Sequence, residues 1–138
     1  MPHKLRYSVL PQRLAVCRAV LGADVPSWGL AGDFFSVTRT PDELSIVCAE
    51  NLVPQRDEGV VVERGWVALR IEGPFPFAMT GVLASFVQPL AEAEIPVFAV
   101  STFDTDYVLV KSESLKPALT ALGAAGHQMI GGDIQSLS

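Results

Sequence analysis

The alternation of apolar and polar side chains predicts strands in both halves of the chain. Trp66–Gly73 shows it most clearly, because every second residue is apolar and falls on one face, as in a strand with one buried side. Similar patterns predict strands at Leu14–Arg18, Phe34–Thr38, Leu44–Ala49, Val60–Glu63, Ile95–Phe103, Tyr107–Lys111 and His127–Ile130, with a further apolar stretch at Leu5–Leu10. Pro96 cannot donate to a ladder, so the Ile95 strand lies at a sheet edge or begins there.

Helical periodicity predicts two helices in the second half. The first opens at Thr80-Gly81, with Thr80 the expected N-cap, and Pro89 predicts a kink or a short last segment. Its apolar face consists of Leu83, Phe86, Val87 and Leu90. The second starts after Ser112 or Ser114, and its buried face consists of Leu115, Ala118, Leu119 and Leu122. The first half offers only a reduced helix within residues 23–32.

A repeat relates the two halves at a fixed offset of 63, because residues 98–117 match residues 35–54 without a gap and with six identities. A unit of this length is typical of two small similar domains. We therefore predict an α+β fold of two ferredoxin-like βαββαβ units side by side with antiparallel sheets, residues 1–64 and 65–138, the first with a reduced first helix. The copies differ most at the turn, where a proline stiffens the first and the second is expected to be open.

The composition narrows the class of protein. Of the 138 residues 49% are hydrophobic, so the chain can bury a core, and its net charge of −5 comes without any basic stripe that would bind nucleic acid. No apolar run approaches the roughly 20 residues that span a bilayer, and no signal peptide opens the chain, so we expect a cytoplasmic protein without membrane contact. Cys17 and Cys48 lack metal or redox spacing and are expected to be small core residues.

Most of the chain carries a family resemblance. Thr80–Ala84, Pro89–Ala93 and Ile95–Val110 resemble ACT regulatory domains, most closely those of the CASTOR-type cytosolic arginine sensors and small bacterial tandem-ACT proteins, and more distantly those of aspartokinases. Phe34–Pro41 is similar to the first-domain hairpin of the same branch. The resemblance implies two ferredoxin-like units, no catalysis, and binding of a small molecule, usually an amino acid, at domain interfaces.

The resemblance also implies a ligand site, which consists of Thr80, Gly81, Thr102, Phe103, Asp104, Thr105 and Asp106. A helix N-terminus offers N–H groups and a dipole worth roughly 0.3–1 kcal/mol to a carboxylate. Gly81 permits close approach to the backbone, and either aspartate can accept from an ammonium group. No acid for a guanidinium stands near the first helical turn, which favours a smaller or more apolar amino acid than arginine, or a decayed site.

Simpler interpretations of these residues stay open. Asp104 and Asp106 are also ordinary hairpin-turn residues, and Thr80-Gly81 is also a plain helix cap. No His, Glu or third acid stands at ligand spacing, so we expect no catalytic residue, no metal and no cofactor. The predicted function is non-enzymatic amino-acid binding by a homodimeric regulatory or sensor protein. The alternative is a protein–protein interaction module, or a regulatory partner of an enzyme of amino-acid metabolism, with no ligand of its own.

Overall fold

The computed structural model describes residues 3–76 and 78–132. Its strands and helices are β1 (Arg6–Ala19), β2 (Ser36–Arg39), β3 (Leu44–Ala49), β4 (Val60–Ile71), α1 (Val82–Glu92), β5 (Phe98–Ser101), β6 (Asp106–Lys111), α2 (Leu115–Ala124) and β7 (Gln128–Gly131). Short 3-10 turns occupy Ser27–Leu30, Glu50–Leu52 and Ser112–Ser114. A largely antiparallel sheet with few helices confirms the predicted α+β class. Within the described ranges, no helix is long and apolar enough to cross a membrane.

The chain forms two compact units. The larger unit comprises Met1–Pro11 and Val67–Ser138, and the smaller unit comprises Gln12–Trp66. These boundaries differ from the predicted division at residues 64 and 65, because β1 and β4 each continue through a boundary as one strand. Gly65 lies inside β4 with a φ of 81°, a left-handed conformation that costs glycine little, so one strand covers the gap between the predicted strands Val60–Glu63 and Trp66–Gly73. The division into residues 1–64 and 65–138 stays a prediction, which rests on the sequence repeat.

The larger unit combines five strands in the order β7-β1-β4-β6-β5. The N-terminal part of β1 pairs in parallel with β7, Arg6 opposite Gln128, and β5 pairs antiparallel with β6, Phe98 opposite Leu109. β5 is therefore at an edge of the sheet, as Pro96 predicted, although it begins at Phe98 rather than Ile95.

The core of the larger unit lies between this sheet and the two helices. Phe86 is fully buried, and the Tyr7 ring meets it edge-on at 5.3 Å between ring centroids. The helices contribute the side chains Val82, Phe86, Leu90, Leu115, Ala118 and Leu122, and the partly buried Leu83, Val87 and Leu119 pack against them. The predicted apolar faces are therefore confirmed, with Val82 as an addition.

Helix α1 differs from its prediction at its start. The N-cap is Gly81, with a φ of 81°, so the prediction of Thr80 as N-cap was wrong. The capping position has a left-handed backbone conformation, which glycine adopts at little cost and threonine does not. The helix continues only to Glu92 beyond Pro89, which confirms the short last segment.

The smaller unit arranges its strands in the order β2-β3-β1-β4. β1 pairs antiparallel with β3, Cys17 opposite Ile46, and β3 pairs antiparallel with β2. Both cysteines are buried and free in the core of this unit, as predicted, and Trp28 from the 3-10 turn packs partly buried against that core. The turn at Ser27–Leu30 stands where a reduced helix was predicted.

The two hairpins correspond at an offset of 62 residues, not 63. Ser36 and Phe98 begin the first strands, Leu44 and Asp106 the second strands, and Glu50 and Ser112 the following 3-10 turns, each a constant 62 residues apart. The gapless offset of 63 was therefore wrong as a structural register. A one-residue slip exchanges the two faces of a strand. With the offset of 62, Ile46 and Val108 are equivalent positions of the repeat, and each side chain belongs to the core of its own unit.

Candidate ligand pocket at the turn between β5 and β6

A pocket of about 230 Å³ lies at the turn between β5 and β6 in the larger unit. One wall contains Ser101 and five predicted site residues, Thr102, Phe103, Asp104, Thr105 and Asp106. The other wall contains Phe75, Pro76 and Met79, from the segment that joins β4 to α1, and Val82, the first residue of α1. This volume lies just below the roughly 300–1,000 Å³ of sites for drug-sized ligands, so the pocket suits a smaller molecule.

Thr102 closes the turn. Its N–H donates to the carbonyl oxygen of Thr105 at 2.8 Å, and its hydroxyl donates to the same oxygen at 3.0 Å. The N–H of Thr105 approaches the hydroxyl oxygen of Thr102 at 3.4 Å. These bonds fix Phe103 and Asp104 at the tip, where the Phe103 side chain is 78% exposed. The turn is thus closed by its own threonine. The sequence had suggested an open turn, and that expectation was wrong.

Contacts with the end of β4 hold the turn in place. The buried Thr105 donates its hydroxyl to the carbonyl oxygen of Ile71, and the N–H of Phe75 donates to the carbonyl oxygen of Asp104 at 3.3 Å. Gly73 permits this approach, because a Cβ there would lie 2.7 Å from the Asp104 carbonyl oxygen. The Thr105 hydroxyl therefore serves the fold, and the side chains that remain to contact a ligand are those of its neighbours.

The charge of the pocket is negative. Asp104 and Asp106 line it, and among the residues that the structure describes none of the ten in its lining is Lys, Arg or His. The Ser101 hydroxyl donates to Oδ1 of Asp106, which orients the carboxylate and leaves Oδ2 to accept from a ligand. Carboxylates accept strong charge-assisted bonds from ammonium groups. Phe75 and Met79 provide an apolar surface opposite these acids, so the pocket can take a molecule with a cationic and an apolar part.

Thr80 and Gly81 lie apart from the lining of this pocket. Gly81 lines a separate cavity with His3, Ser85 and His127, and the carbonyl oxygen of Thr80 is 2.9 Å from Nε2 of His3. They nevertheless stand between Met79 and Val82, which do line the pocket. The structure therefore brings five of the seven predicted residues together, and the other two lie outside the lining of this pocket.

Sequence reasoning missed that second wall. The predicted site contained none of its four residues, Phe75, Pro76, Met79 and Val82. The available signal was the presence of two large apolar residues, Phe75 and Met79, in an irregular segment that joins a strand to a helix. Phe75 packs partly buried against the core of the larger unit, whereas Met79 is 43% exposed, and both line the pocket beside the turn.

The hairpin of the smaller unit has the same turn but a different strand end. Thr40 bonds to Glu43 through its N–H at 2.9 Å and through its hydroxyl, as Thr102 does to Thr105, and Asp42 takes the position of Asp104. At the end of the ladder, however, Arg39 pairs with Leu44 where Ser101 pairs with Asp106. The serine–aspartate pair therefore distinguishes the larger unit's turn from its counterpart.

Comparisons with known proteins agree with this architecture. A family model described as an ACT domain matches residues 61–124, and a second model, of an N-terminal domain, matches residues 12–56. The human protein CASTOR3P is 35% identical over 92 residues, 59% of this chain and 56% of that protein. The bovine protein named cytosolic arginine sensor for mTORC1 subunit 1 is 30% identical over 97 residues, 64% of this chain and 30% of that protein. The chain thus spans about half or less of the curated relatives it matches.

Two solved structures show the same fold. Protein Atu0741 from Agobacterium tumefaciens is 37% identical and superposes with a TM-score of 0.87 over 95% of this chain and 96% of that chain. The regulatory subunit of aspartate kinase from Thermus flavus superposes with a TM-score of 0.61 over 91% of this chain and 99% of that chain. At 12% identity, this second likeness concerns the fold alone.

Proposed function

We propose that this chain, whose residues 61–124 match the ACT-domain family model, is a non-enzymatic regulatory protein that binds a small amino-acid-type ligand at the turn between β5 and β6. The observation that carries the proposal is the pocket itself, where Asp104 and Asp106 face the apolar side chains of Phe75 and Met79. A relative named as an arginine sensor supports amino acids as the class of ligand.

The ligand contacts follow from the chemistry of the lining. Oδ2 of Asp106 accepts from the ligand's ammonium group, with Asp104 as a second, more exposed carboxylate. Val82 is the first residue of α1, and the N–H groups of a first helical turn lack partners within the helix, so the carboxylate of an amino acid faces this end. The apolar surface of Phe75 and Met79 then takes the side chain. A pocket of about 230 Å³ favours a small neutral side chain over arginine.

Regulation by such a ligand acts through linkage. The pocket joins two segments of the chain, the hairpin turn and the segment that leads into α1, so a ligand that contacts both stabilises the arrangement in which they are close. A ligand can shift a conformational equilibrium only by the difference between its affinities for the two states. The effect of ligand binding is therefore a change in the protein surface around the turn.

The first experiment is thermal unfolding in the presence of each of the twenty common amino acids at millimolar concentration. We expect at least one to raise the melting temperature, because a ligand that binds only the folded state stabilises it. Asp106→Asn should weaken binding roughly tenfold or more, since it removes a charge-assisted bond, and should leave the ligand-free melting temperature nearly unchanged. If none of the twenty stabilises the wild-type protein, the proposal is wrong.

The matched control is Asp42→Asn, because Asp42 has the position of Asp104 in the hairpin of the smaller unit. Asp104→Asn should weaken binding and Asp42→Asn should not. Equal losses in the two variants would indicate a general effect of net charge and would remove the turn between β5 and β6 as the site.

A protein partner at the same turn is the second candidate function. Phe103 is 78% exposed at the tip, and large exposed aromatic side chains are common anchors of protein interfaces. Phe103→Ser should then abolish retention of a stoichiometric protein from lysate on the immobilised chain in the absence of any amino acid. Retention that is unchanged by Phe103→Ser counts against a partner at this turn.

The tandem arrangement, the homodimer and the cytoplasmic location remain parts of the proposal. The correspondence of the hairpins at 62 residues and the shared threonine turn support duplication of one ferredoxin-like unit. Light scattering coupled to gel filtration tests the homodimer, and a single-chain mass would contradict it.

A further inference from the structure

Pro89 leaves one backbone carbonyl group of α1 without its usual hydrogen-bond donor. A proline has no N–H, so the carbonyl oxygen of Ser85, four residues earlier, lacks its donor within the helix. The ring of His127 lies there instead, with Nε2 at 2.8 Å from that oxygen. His127 is 6% exposed and its ring packs at 5.4 Å from the Phe86 ring. The histidine therefore supplies from outside the helix the hydrogen bond that the proline removes.

The other ring nitrogen of His127 holds a different part of the chain. The N–H of Leu5 donates to Nδ1 at 3.0 Å. Because a backbone N–H can only donate and a carbonyl oxygen can only accept, the two partners assign one neutral tautomer, with the hydrogen on Nε2. His127 thus connects Leu5, just before β1, to Ser85 at the end of the first turn of α1 through two bonds of opposite polarity.

Residues His3–Leu5, here called the N-terminal strap, continue from this point along the start of α1. The N–H of His3 donates to Oγ of Ser85 at 2.9 Å, and Nε2 of His3 lies 2.9 Å from the carbonyl oxygen of Thr80. A Cβ on Gly81 would lie 3.7 Å from the His3 ring, so the ring covers the left-handed glycine that precedes the helix. The strap therefore spans the whole first turn of α1, from Thr80 to Ser85.

A cavity of about 480 Å³ runs beside these contacts, lined by His3, Gly81, Ser85, Pro89 and His127 among others. The strap and the helix are therefore joined here mainly by directed hydrogen bonds, since close packing is interrupted. On the other side of the same segment, Met79 and Val82 form part of the wall of the pocket at the turn between β5 and β6.

We propose that His127 is a positioning residue for the ligand pocket. It holds the N-terminal strap and the first turn of α1 in the arrangement that places Met79 and Val82 against the hairpin turn. The proposal rests on the proposed function, because it assigns to His127 a role in forming that same pocket. Loss of both ring bonds leaves the strap held to α1 only through His3, and the binding-competent arrangement is then populated for only part of the time, which weakens affinity by the same fraction.

The test combines His127→Phe with Pro89→Ala. His127→Phe keeps a ring against Phe86 and removes both bonds, whereas Pro89→Ala restores an N–H that can donate to the Ser85 carbonyl oxygen. We expect His127→Phe to raise hydrogen-exchange rates at Ser85–Val87, the first residues of α1 whose N–H groups bond within the helix, roughly tenfold more than at Val108–Val110 in β6, which marks a local opening. We expect the double variant to recover part of this protection. Gln88→Ala, an exposed change on the same helix, is the control and should do neither.

Binding of the twenty common amino acids, each added singly, supplies the second measurement. His127→Phe should weaken the affinity for the amino acid that stabilises the wild-type protein by about fivefold or more, with partial recovery in the double variant. If exchange rises equally at Ser85–Val87 and in β6, His127 is only a residue of the general core and the proposal is overturned. Local opening with unchanged affinity also overturns it and leaves the proposed function intact. If no amino acid binds the wild-type protein, the proposed function fails and the positioning role fails with it.

Discussion

Gly73 and Asp104 approach each other so closely that no other residue fits at position 73 without movement. A Cβ on Gly73 would lie 2.7 Å from the carbonyl oxygen of Asp104 and 3.1 Å from the Cβ of Thr105. Gly73→Ala must therefore displace the turn between β5 and β6, at a cost of roughly 1–3 kcal/mol in the free energy of unfolding. Urea unfolding measures the cost, and amino-acid binding should be lost together with the geometry of the turn.

Gly123→Ala is the control for this change. A Cβ at Gly123, near the end of α2, would meet nothing within 4 Å, and alanine is favoured over glycine in helices by roughly 0.5–1 kcal/mol. We expect Gly123→Ala to be neutral or slightly stabilising, with binding unchanged. Wild-type stability and binding in Gly73→Ala would show that the turn does not depend on its contact with the end of β4.

Phe86 is expected to be the most costly side chain to truncate on α1. It is fully buried, meets Tyr7 edge-on and packs beside His127, so Phe86→Ala removes a whole ring from a closed core. The expected loss is roughly 3–5 kcal/mol in the free energy of unfolding. Phe103→Ala, at a side chain that is 78% exposed, should change it by less than about 0.5 kcal/mol. Similar losses in the two variants would contradict the position of the core.

The sequence predicted elements well where one local pattern decided them. β3 has the predicted bounds, Leu44–Ala49, because a run of apolar residues there is buried on both faces. The apolar face of α1 was equally clear from its spacing. Breaks were predicted less well. Separate strands were predicted on either side of residues 11–13 and of residues 64–65, yet β1 and β4 each continue through these positions, because pairing with distant neighbours maintains a strand that its own residues only weakly favour.

The sequence predicted one side of the candidate pocket and not the other. The hairpin side followed from a family resemblance tied to particular residues, and five of those residues do line one pocket. The opposite side could not be predicted, because Phe75 and Met79 lie in an irregular segment whose path depends on contacts such as the N–H of Phe75 with Asp104. The register of the repeat failed for a related reason. Six identities favoured an offset of 63, whereas the hydrogen bonds of the two threonine turns set it at 62.

Arg64 is expected to stabilise the 3-10 turn at Glu50–Leu52 and the residues that follow it. Its guanidinium donates to the carbonyl oxygens of Glu50 at 3.1 Å, Val53 at 3.4 Å and Pro54 at 3.0 Å. A lysine ammonium is a point charge and cannot reproduce this planar set of donors, so Arg64→Lys should lower the free energy of unfolding by roughly 1–2 kcal/mol. Arg56→Lys, on an exposed side chain nearby, is the control. Equal effects of the two changes would show that only charge matters at position 64.

Tyr7 is expected to make the protein less stable at alkaline pH. Burial raises the pKa of Tyr7 above its ordinary value of 10.0, so above that pH the unfolded chain loses a proton that the folded protein keeps. The folded state then binds more protons, and the free energy of unfolding must fall as the pH rises. A hydrogen bond with Cys48, together with burial, raises the pKa of Cys17 in the same direction, so the comparison is made in Cys17→Ala. Urea unfolding at about pH 8 and about pH 11 should show a smaller loss in Tyr7→Phe than in its parent. Equal losses would mean that ionisation of Tyr7 does not oppose folding.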